Sequence, residues 1–256
     1  MKDSQRIIRC FDDSESVSAA AADCFLEAAG AAIAERGRFS VALSGGSTPR
    51  RVFELLAAPA NRGRVDWGKI EFFWGDERSV PREHADSNYR MALTAMLEPL
   101  SISAEKIHRM PAERKDLEQA ASEYGDEIRS VIDADGGIKD LPRLDLVMLG
   151  MGTDGHTASL FPYTTALAET TRLVVPNYVE KLDTWRMTMT ALLINQARHI
   201  LFLVAGADKA IVLSEVLEGP EDSKRLPSQM IKPVQGELVW LVDAAAAARL
   251  EHRPSA

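Results

Sequence analysis

Cysteine is scarce in this chain: only Cys10 and Cys24 occur in 256 residues, both near the N-terminus. Two thiols cannot build a disulfide framework, so the expectation is reduced thiols in a cytoplasmic protein. Positive charge is also in deficit. Lysine and arginine total 30 against 38 aspartates and glutamates, for a formal net charge of −8. That leaves no general basic face for nucleic acid or anionic lipid. The first residues, MKDSQRIIRCFDD, contain no apolar signal-peptide core, and no apolar run reads as a membrane span. Metal-ligand spacing is missing too. His84, His108, His199 and His252 stand apart, with no HExxH-like or Cys/His cluster. Nor is there an internal repeat, a low-complexity linker or a break in composition. Residues 1–256 are therefore expected to form a single domain, with no metal, no nucleic-acid partner and no membrane contact.

What is present is an alternation of strand-like and helix-like segments. Val17, Ala21, Cys24, Ala28 and Ala32 fall at helical spacing across 14–36, with Asp12 and Glu15 as a capping pair and Gly37 as the stop. Phe39 to Leu43 reads as a buried strand and Pro49 to Ala58 as the helix after it. Ile70 to Trp74 predicts a strand, Gly75 to Asn88 a polar loop, and Tyr89 to Leu97 a helix. Leu117, Ala121, Tyr124, Ile128 and Val131 mark another helix, ended by Asp135-Gly136-Gly137. Further strands are expected at 144–149, 172–175, 199–204 and 238–242, and helices at 207–217 and 243–250. Gly219 to Pro233 reads as a surface loop. Strands alternating with helices predict an α/β, Rossmann-like fold: a mostly parallel sheet with helices on both faces.

In such a sheet, ligands collect at the carboxyl ends of the strands, and four segments there carry more polar chemistry than a turn needs. Ser44-Gly45-Gly46-Ser47-Thr48-Pro49 lets a phosphate approach the backbone and the N–H groups of the next helix. The plainer reading is a turn capped by Ser47 or Thr48. No Gly-Lys-Ser/Thr follows, so this is not a Walker A loop. Gly75-Asp76-Glu77-Arg78 ends an aromatic strand with three charges. These are either solvated turn residues or a site in which Arg78 faces a developing oxyanion. Gly150 to His156 presents Asp154 and His156 two residues apart in a glycine loop, an acid placed to orient a general base. The same loop matches the dinucleotide fingerprint in its letters, but Asp154 would repel a pyrophosphate and the segment does not open the first βαβ unit. Arg186 and Lys209 read singly as surface charges, and together as counter-charges for a sugar phosphate.

SGGSTPR, FFWGDERSVPREHADSNYRMA, LGMGTDGHTASLFP and RMTMTALLINQARHILFLVAGADKA together closely resemble the 6-phosphogluconolactonases, in order and approximate spacing, over roughly residues 10 to 243. The resemblance implies hydrolysis of 6-phospho-D-glucono-1,5-lactone to 6-phosphogluconate in the oxidative pentose phosphate pathway. It implies no metal or organic cofactor, and a fold shared with glucosamine-6-phosphate deaminase and ribose-5-phosphate isomerase. It makes His156 the general base, oriented by Asp154, and Arg78 the oxyanion donor. Asp76 would act as an acid or bind a substrate hydroxyl. Gly45, Gly46, Ser47, Arg186 and Lys209 would hold the 6-phosphate. Asn88 would either serve the site or cap the next helix. The expected partner is a small sugar-phosphate lactone, and the expected assembly a monomer or small homo-oligomer.

Three rival readings remain. A glucosamine-6-phosphate deaminase would carry glutamate before the proline that follows its Asp-Gly-His turn. Phe161 precedes Pro162 here, and a phenyl ring relays no proton. A nicotinamide-dependent oxidoreductase rests on the discounted fingerprint. A non-catalytic sugar-phosphate sensor shares the fold, but it would not need both His156 and Arg78. Ser159 and Thr157 lie near His156 without the G-x-S-x-G elbow of a serine hydrolase.

Overall fold

The structure is a computed structural model, and it describes residues 6–132 and 141–251. Its strands are β1 (Arg6–Phe11), β2 (Phe39–Leu43), β3 (Ile70–Trp74), β4 (Asp76–Arg78), β5 (Leu146–Gly150), β6 (Val174–Val179), β7 (Thr184–Met189), β8 (His199–Val204) and β9 (Glu237–Asp243). The helices are α1 (Ser14–Arg36), α2 (Ser47–Ala57), α3 (Pro59–Arg62), α4 (Asn88–Ala92), α5 (Leu117–Val131), α6 (Ala191–Ile194) and α7 (Ala210–Glu218).

Six strands form one sheet in the order β1-β9-β8-β5-β2-β3, and every neighbouring pair is parallel. All five residues of β2 are buried, as are Ile200 to Val204 of β8. Burial of consecutive residues means that both faces of the sheet are covered, as a parallel α/β sheet requires. Trp74, Phe72 and Phe73 of β3 are fully enclosed, and Phe202 stacks on Trp240 of the next strand at 3.8 Å. Each such side chain contributes about 1.5–3 kcal/mol by leaving water. From β2 the chain steps outward to β3, whereas from β5 it steps the other way to β8 and β9. The order therefore reverses between the neighbours β2 and β5, and the crevice above their carboxyl ends is where this architecture places ligands.

A second, antiparallel sheet, β4-β7-β6, stands beside that crevice. It was not expected, and it converts part of the 75–88 loop into a strand. Glu77 and Met187 pair within it, as do Asp76 and Thr188. Three consecutive charges carry no apolar period, so β4 is invisible to pattern reading. β1, RIIRCF, and β7, TWRMTM, were also not expected, although both carry apolar residues.

Several local expectations shift. Asp13, rather than Asp12, caps α1 by accepting from Ser16 N–H at 2.8 Å, and Glu15 turns instead to Arg51. Gly37 ends the helix in the left-handed region, as expected. Contrary to the reading of the apolar runs, α1 is long and apolar enough to cross a bilayer by length and composition. Its apolarity has another cause, because Val17, Ala21, Phe25 and Ala29 pack into the core. The segment 89–97 divides into α4 and a π-helical turn, Leu93–Leu97. The strand expected at 172–175 runs over β6 instead. The alanine-rich stretch at 243–250 keeps only a 3₁₀ turn, Ala246–Arg249, because β9 extends to Asp243. The loop of 219–233 is not wholly superficial, since Leu226, Ser228 and Ile231 are buried. The stop expected at 135–137 lies outside the described residues.

Candidate active site

Two glycine loops rise from the neighbouring strands at the reversal point. The loop after β2 enters α2 through Gly46, whose φ of 109° is open to glycine and strained for other residues. Neither Ser47 nor Thr48 caps this helix. No side chain does, and its first turn carries no acid. By contrast, Asp13, Ser87 and Asp116 cap α1, α4 and α5. The first N–H groups of α2 are thus left to an external acceptor, at the positive end of the helix dipole. Ser44 Oγ, buried just before the turn, has no hydrogen-bond partner among the described residues.

The loop after β5 holds His156 against Asp154. Oδ1 of Asp154 lies 2.5 Å from Nδ1 of His156 and also accepts the His156 backbone N–H at 3.2 Å. A carboxylate only accepts, so Nδ1 carries the proton and Nε2 keeps its lone pair. Gly152 makes the pose possible: a Cβ there would stand 2.1 Å from the imidazole. Phe161, itself buried, stacks on the ring at 4.0 Å and 21°. Lys181, from the turn between β6 and β7, ion-pairs with the other oxygen of Asp154. The pKa of His156 is lowered to about 4. Burial is the main cause; Asp76 opposes it, while Arg186, Lys209 and Arg78 reinforce it. The imidazole is therefore neutral at neutral pH.

The same electrostatic neighbourhood shows that the structure gathers the residues singled out in the sequence. Arg78 and Arg186 are register partners on β4 and β7, so the expected loop cation at 186 is in fact a strand residue. The Nε atoms of both are buried without a hydrogen-bond partner among the described residues. Arg186 lies over the Phe161 ring at 5.9 Å, and burial lowers its pKa. Arg78 Nη1 donates to the Asp86 carbonyl at 2.5 Å. Lys209 sits in the 3₁₀ turn Ala207–Lys209 that leads into α7, and pairs with Asp208 at 3.2 Å. Asp76 is buried; its Oδ2 accepts from Ser159 Oγ at 2.6 Å. That bond, and the one from Thr157 Oγ1 to Gly150 O, engage both hydroxyls near the histidine in the scaffold.

Asn88 does not cap α4; Ser87 does, accepting from Arg90 N–H at 3.1 Å. The Asn88 side chain instead donates to the Asp76 carbonyl at 2.9 Å and lies so near Gly45 that a Cβ there would be 1.9 Å from Oδ1. This packing joins the anion loop to β4. Gly46, Ser47, Arg78 and Asn88 line an open cleft of about 460 Å³. Two participants had no sequence signal of their own. Lys181 belongs to a hairpin that the pattern did not reveal, and Glu77 looked like a solvated charge but is 4% exposed.

Residues 12–240 match the family model described as glucosamine-6-phosphate isomerases/6-phosphogluconolactonase. The chain is 45% identical over 219 residues to a 6-phosphogluconolactonase of Synechocystis sp., covering 86% of this chain and 88% of that protein. It is 41% identical over 246 residues to a 6-phosphogluconolactonase of Nostoc sp., covering 96% and 99%. Among solved structures, 6-phosphogluconolactonase from Trypanosoma cruzi superposes with a TM-score of 0.83 at 27% identity, over 98% of each chain. With its site built on the same fold and its sequence aligned along nearly its whole length, this chain belongs to the glucosamine-6-phosphate isomerase/6-phosphogluconolactonase family.

Proposed function

We propose that this protein is a 6-phosphogluconolactonase, hydrolysing 6-phospho-D-glucono-1,5-lactone to 6-phospho-D-gluconate in the pentose phosphate pathway. The observation that carries the reading is the Asp154–His156 pair, whose free Nε2 belongs to a neutral imidazole among three cations. Both named relatives, at 45% and 41% identity, are 6-phosphogluconolactonases.

The chemistry follows from this arrangement. Nε2 of His156 takes a proton as water attacks the lactone carbonyl carbon, while Asp154 fixes the tautomer and stabilises the imidazolium that forms. Negative charge developing on the carbonyl oxygen meets the planar fork of donors of Arg78. The tetrahedral intermediate collapses by breaking the bond to the ring oxygen. The proton held by His156 passes to that oxygen, giving the hydroxy acid and a neutral base. Positioned proton transfer supplies on the order of 10²–10⁴-fold, and one oxyanion donor about 10²–10³-fold. The uncapped N-terminus of α2, with Gly45, Gly46 and Ser47, binds the phosphate together with Arg186 and Lys209. Asp76, fixed by Ser159, accepts a substrate hydroxyl.

An imidazole with a pKa near 4 is a weak base, and the substrate corrects this. A phosphate dianion bound at Arg186 and Lys209 cancels much of their field, so His156 becomes more basic when substrate is present. Phe161 weighs against amino-sugar deamination, because the ring stacked on His156 has no proton to relay.

The test is hydrolysis of freshly generated lactone, compared with its spontaneous rate, for wild type and His156→Ala. Acceleration by wild type and near-background rates for the variant are expected. Equal rates for the two proteins would remove His156 as the base, and no acceleration by either would remove the activity.

A further inference from the structure

Glu77 lies between two residues already placed in the site, yet its side chain points the other way. Successive residues of a strand face opposite sides, so Asp76 and Arg78 share one side of β4 and Glu77 takes the other. There its carboxylate is enclosed, and four donors converge on it. Oε1 accepts the backbone N–H of Arg78 at 2.7 Å and that of Asn88 at 2.9 Å. Oε2 accepts Ser87 Oγ at 3.0 Å and the backbone N–H of Tyr89 at 2.8 Å. One side chain thereby ties β4 to the first turn of α4, closing the intervening loop at its base. Taking a carboxylate out of water is costly unless its oxygens are satisfied, and here each accepts two hydrogen bonds.

The consequence reaches the guanidinium of Arg78. Its Nη1 donates to the carbonyl of Asp86, the residue immediately before the segment that Glu77 holds. A strand of three residues has little pairing of its own with which to keep this geometry. Asn88, in the same segment, spans from Asp76 to Gly45. We infer that Glu77 is a positioning residue for lactone hydrolysis: by clamping Ser87, Asn88 and Tyr89 to β4, it places the carbonyl that aims Arg78 at the oxyanion. The inference rests on the lactonase reading and on Arg78 as the oxyanion donor.

A double-mutant cycle tests it. Glu77→Gln keeps the shape but replaces one acceptor oxygen with a donor that faces N–H groups. Ser87→Ala is the milder companion, removing one of the four bonds and the helix cap. Each is made in wild type and in Arg78→Ala, with kcat and KM measured for lactone hydrolysis well below each variant's melting temperature. In the wild-type background, Glu77→Gln is expected to lower kcat about tenfold while KM changes less than about twofold, and Ser87→Ala to lower kcat less. In the Arg78→Ala background neither substitution lowers kcat further, since the group they aim is gone. Equal fold losses in both backgrounds, or a loss confined to KM, would overturn the inference while leaving Arg78 in its role. Should Arg78→Ala itself retain wild-type kcat, both the oxyanion assignment and the inference fall. If Glu77→Gln does not fold, the Ser87→Ala cycle decides between the same outcomes.

Discussion

Arg78 and Arg186 stand directly opposite each other on the antiparallel strands β4 and β7, two guanidinium side chains in register with both Nε atoms buried and unpartnered among the described residues. Like charges facing across a strand pair destabilise it, by a few tenths to about 1 kcal/mol. A charge-assisted contact from both guanidinium groups to one anion would offset that cost.

The two arginines therefore separate stability from function. Arg186→Met is expected to raise thermal stability slightly, by roughly 0.2–1 kcal/mol, while raising KM for the lactone at least about tenfold, the loss of one charge-assisted contact. Thermal melts and steady-state kinetics on the same preparation check this. Lower stability together with unchanged KM would remove Arg186 from the phosphate site.

The pH dependence follows from His156, whose pKa is lowered to about 4. The base is competent while neutral, so kcat/KM, which reports the free enzyme, should fall only as pH drops toward 4. The acid limb of kcat should lie at higher pH, because bound phosphate offsets Arg186 and Lys209. Coincident limbs near 6.5 would contradict the burial and cation field derived for the imidazole. Asp154→Asn replaces the carboxylate with a neutral amide whose NH2 can donate to Nδ1 and favour the wrong tautomer, and it should lower kcat by about 10²-fold or more.

Space around the imidazole is set by a hydrogen atom. Gly152→Ala would place a Cβ 2.1 Å from the ring and 2.8 Å from Asp154 Oδ1. The histidine must move, and kcat should drop by on the order of 10²-fold, as a misplacement of about 1 Å implies. Melting temperature should change little, since the loop is half-exposed; a variant of wild-type activity would show that the pose is not required.

A second histidine predicts a pH effect of opposite sign on stability. His108 bridges Glu127 at 2.8 Å through Nδ1 and Glu71 at 3.0 Å through Nε2, stacked on Phe73, with Lys106 also bound to Glu71. Burial acts to lower its pKa, but the two carboxylates prevail and raise it. A raised folded-state pKa contributes stability that is present in full below about 6.5 and is lost as pH rises through the folded value. His108→Ala should thus cost about 1–3 kcal/mol at pH 6 and distinctly less at pH 9, measured by denaturant unfolding. A cost independent of pH would mean that the imidazole is neutral in the fold.

Most of the parallel sheet was legible in the chain. The strands at 39–43, 70–74 and 199–204 have the bounds read from their apolar runs, because strands buried on both faces are continuous hydrophobic segments. Gly37, Gly45 and Gly46 were legible because few residue types serve a left-handed stop or a close approach. β4 was not, being DER with no apolar residue, whereas β7, TWRMTM, does alternate polar and apolar residues, the period of a half-buried strand. Their pairing comes from neighbours far along the chain. Asp12 was read as the cap of α1 because Asp12 and Asp13 are chemically equivalent one residue apart, and only the entry of the chain from β1 selects the second.

At the site, the chain itself determined which chemistry was available: one imidazole beside one carboxylate, a glycine turn ahead of a helix, and a few cations in an acidic protein. Types and spacings carry that information, since a residue's functional groups are covalent properties. Tertiary structure decided what those groups do to one another. Registering β4 on β7 set Arg78 against Arg186, bending β5 into its loop laid His156 on Phe161, and burying Glu77 turned a surface-like charge into a clamp. Those outcomes depend on distance and on exclusion of water, and both arise only when segments remote in sequence pack together.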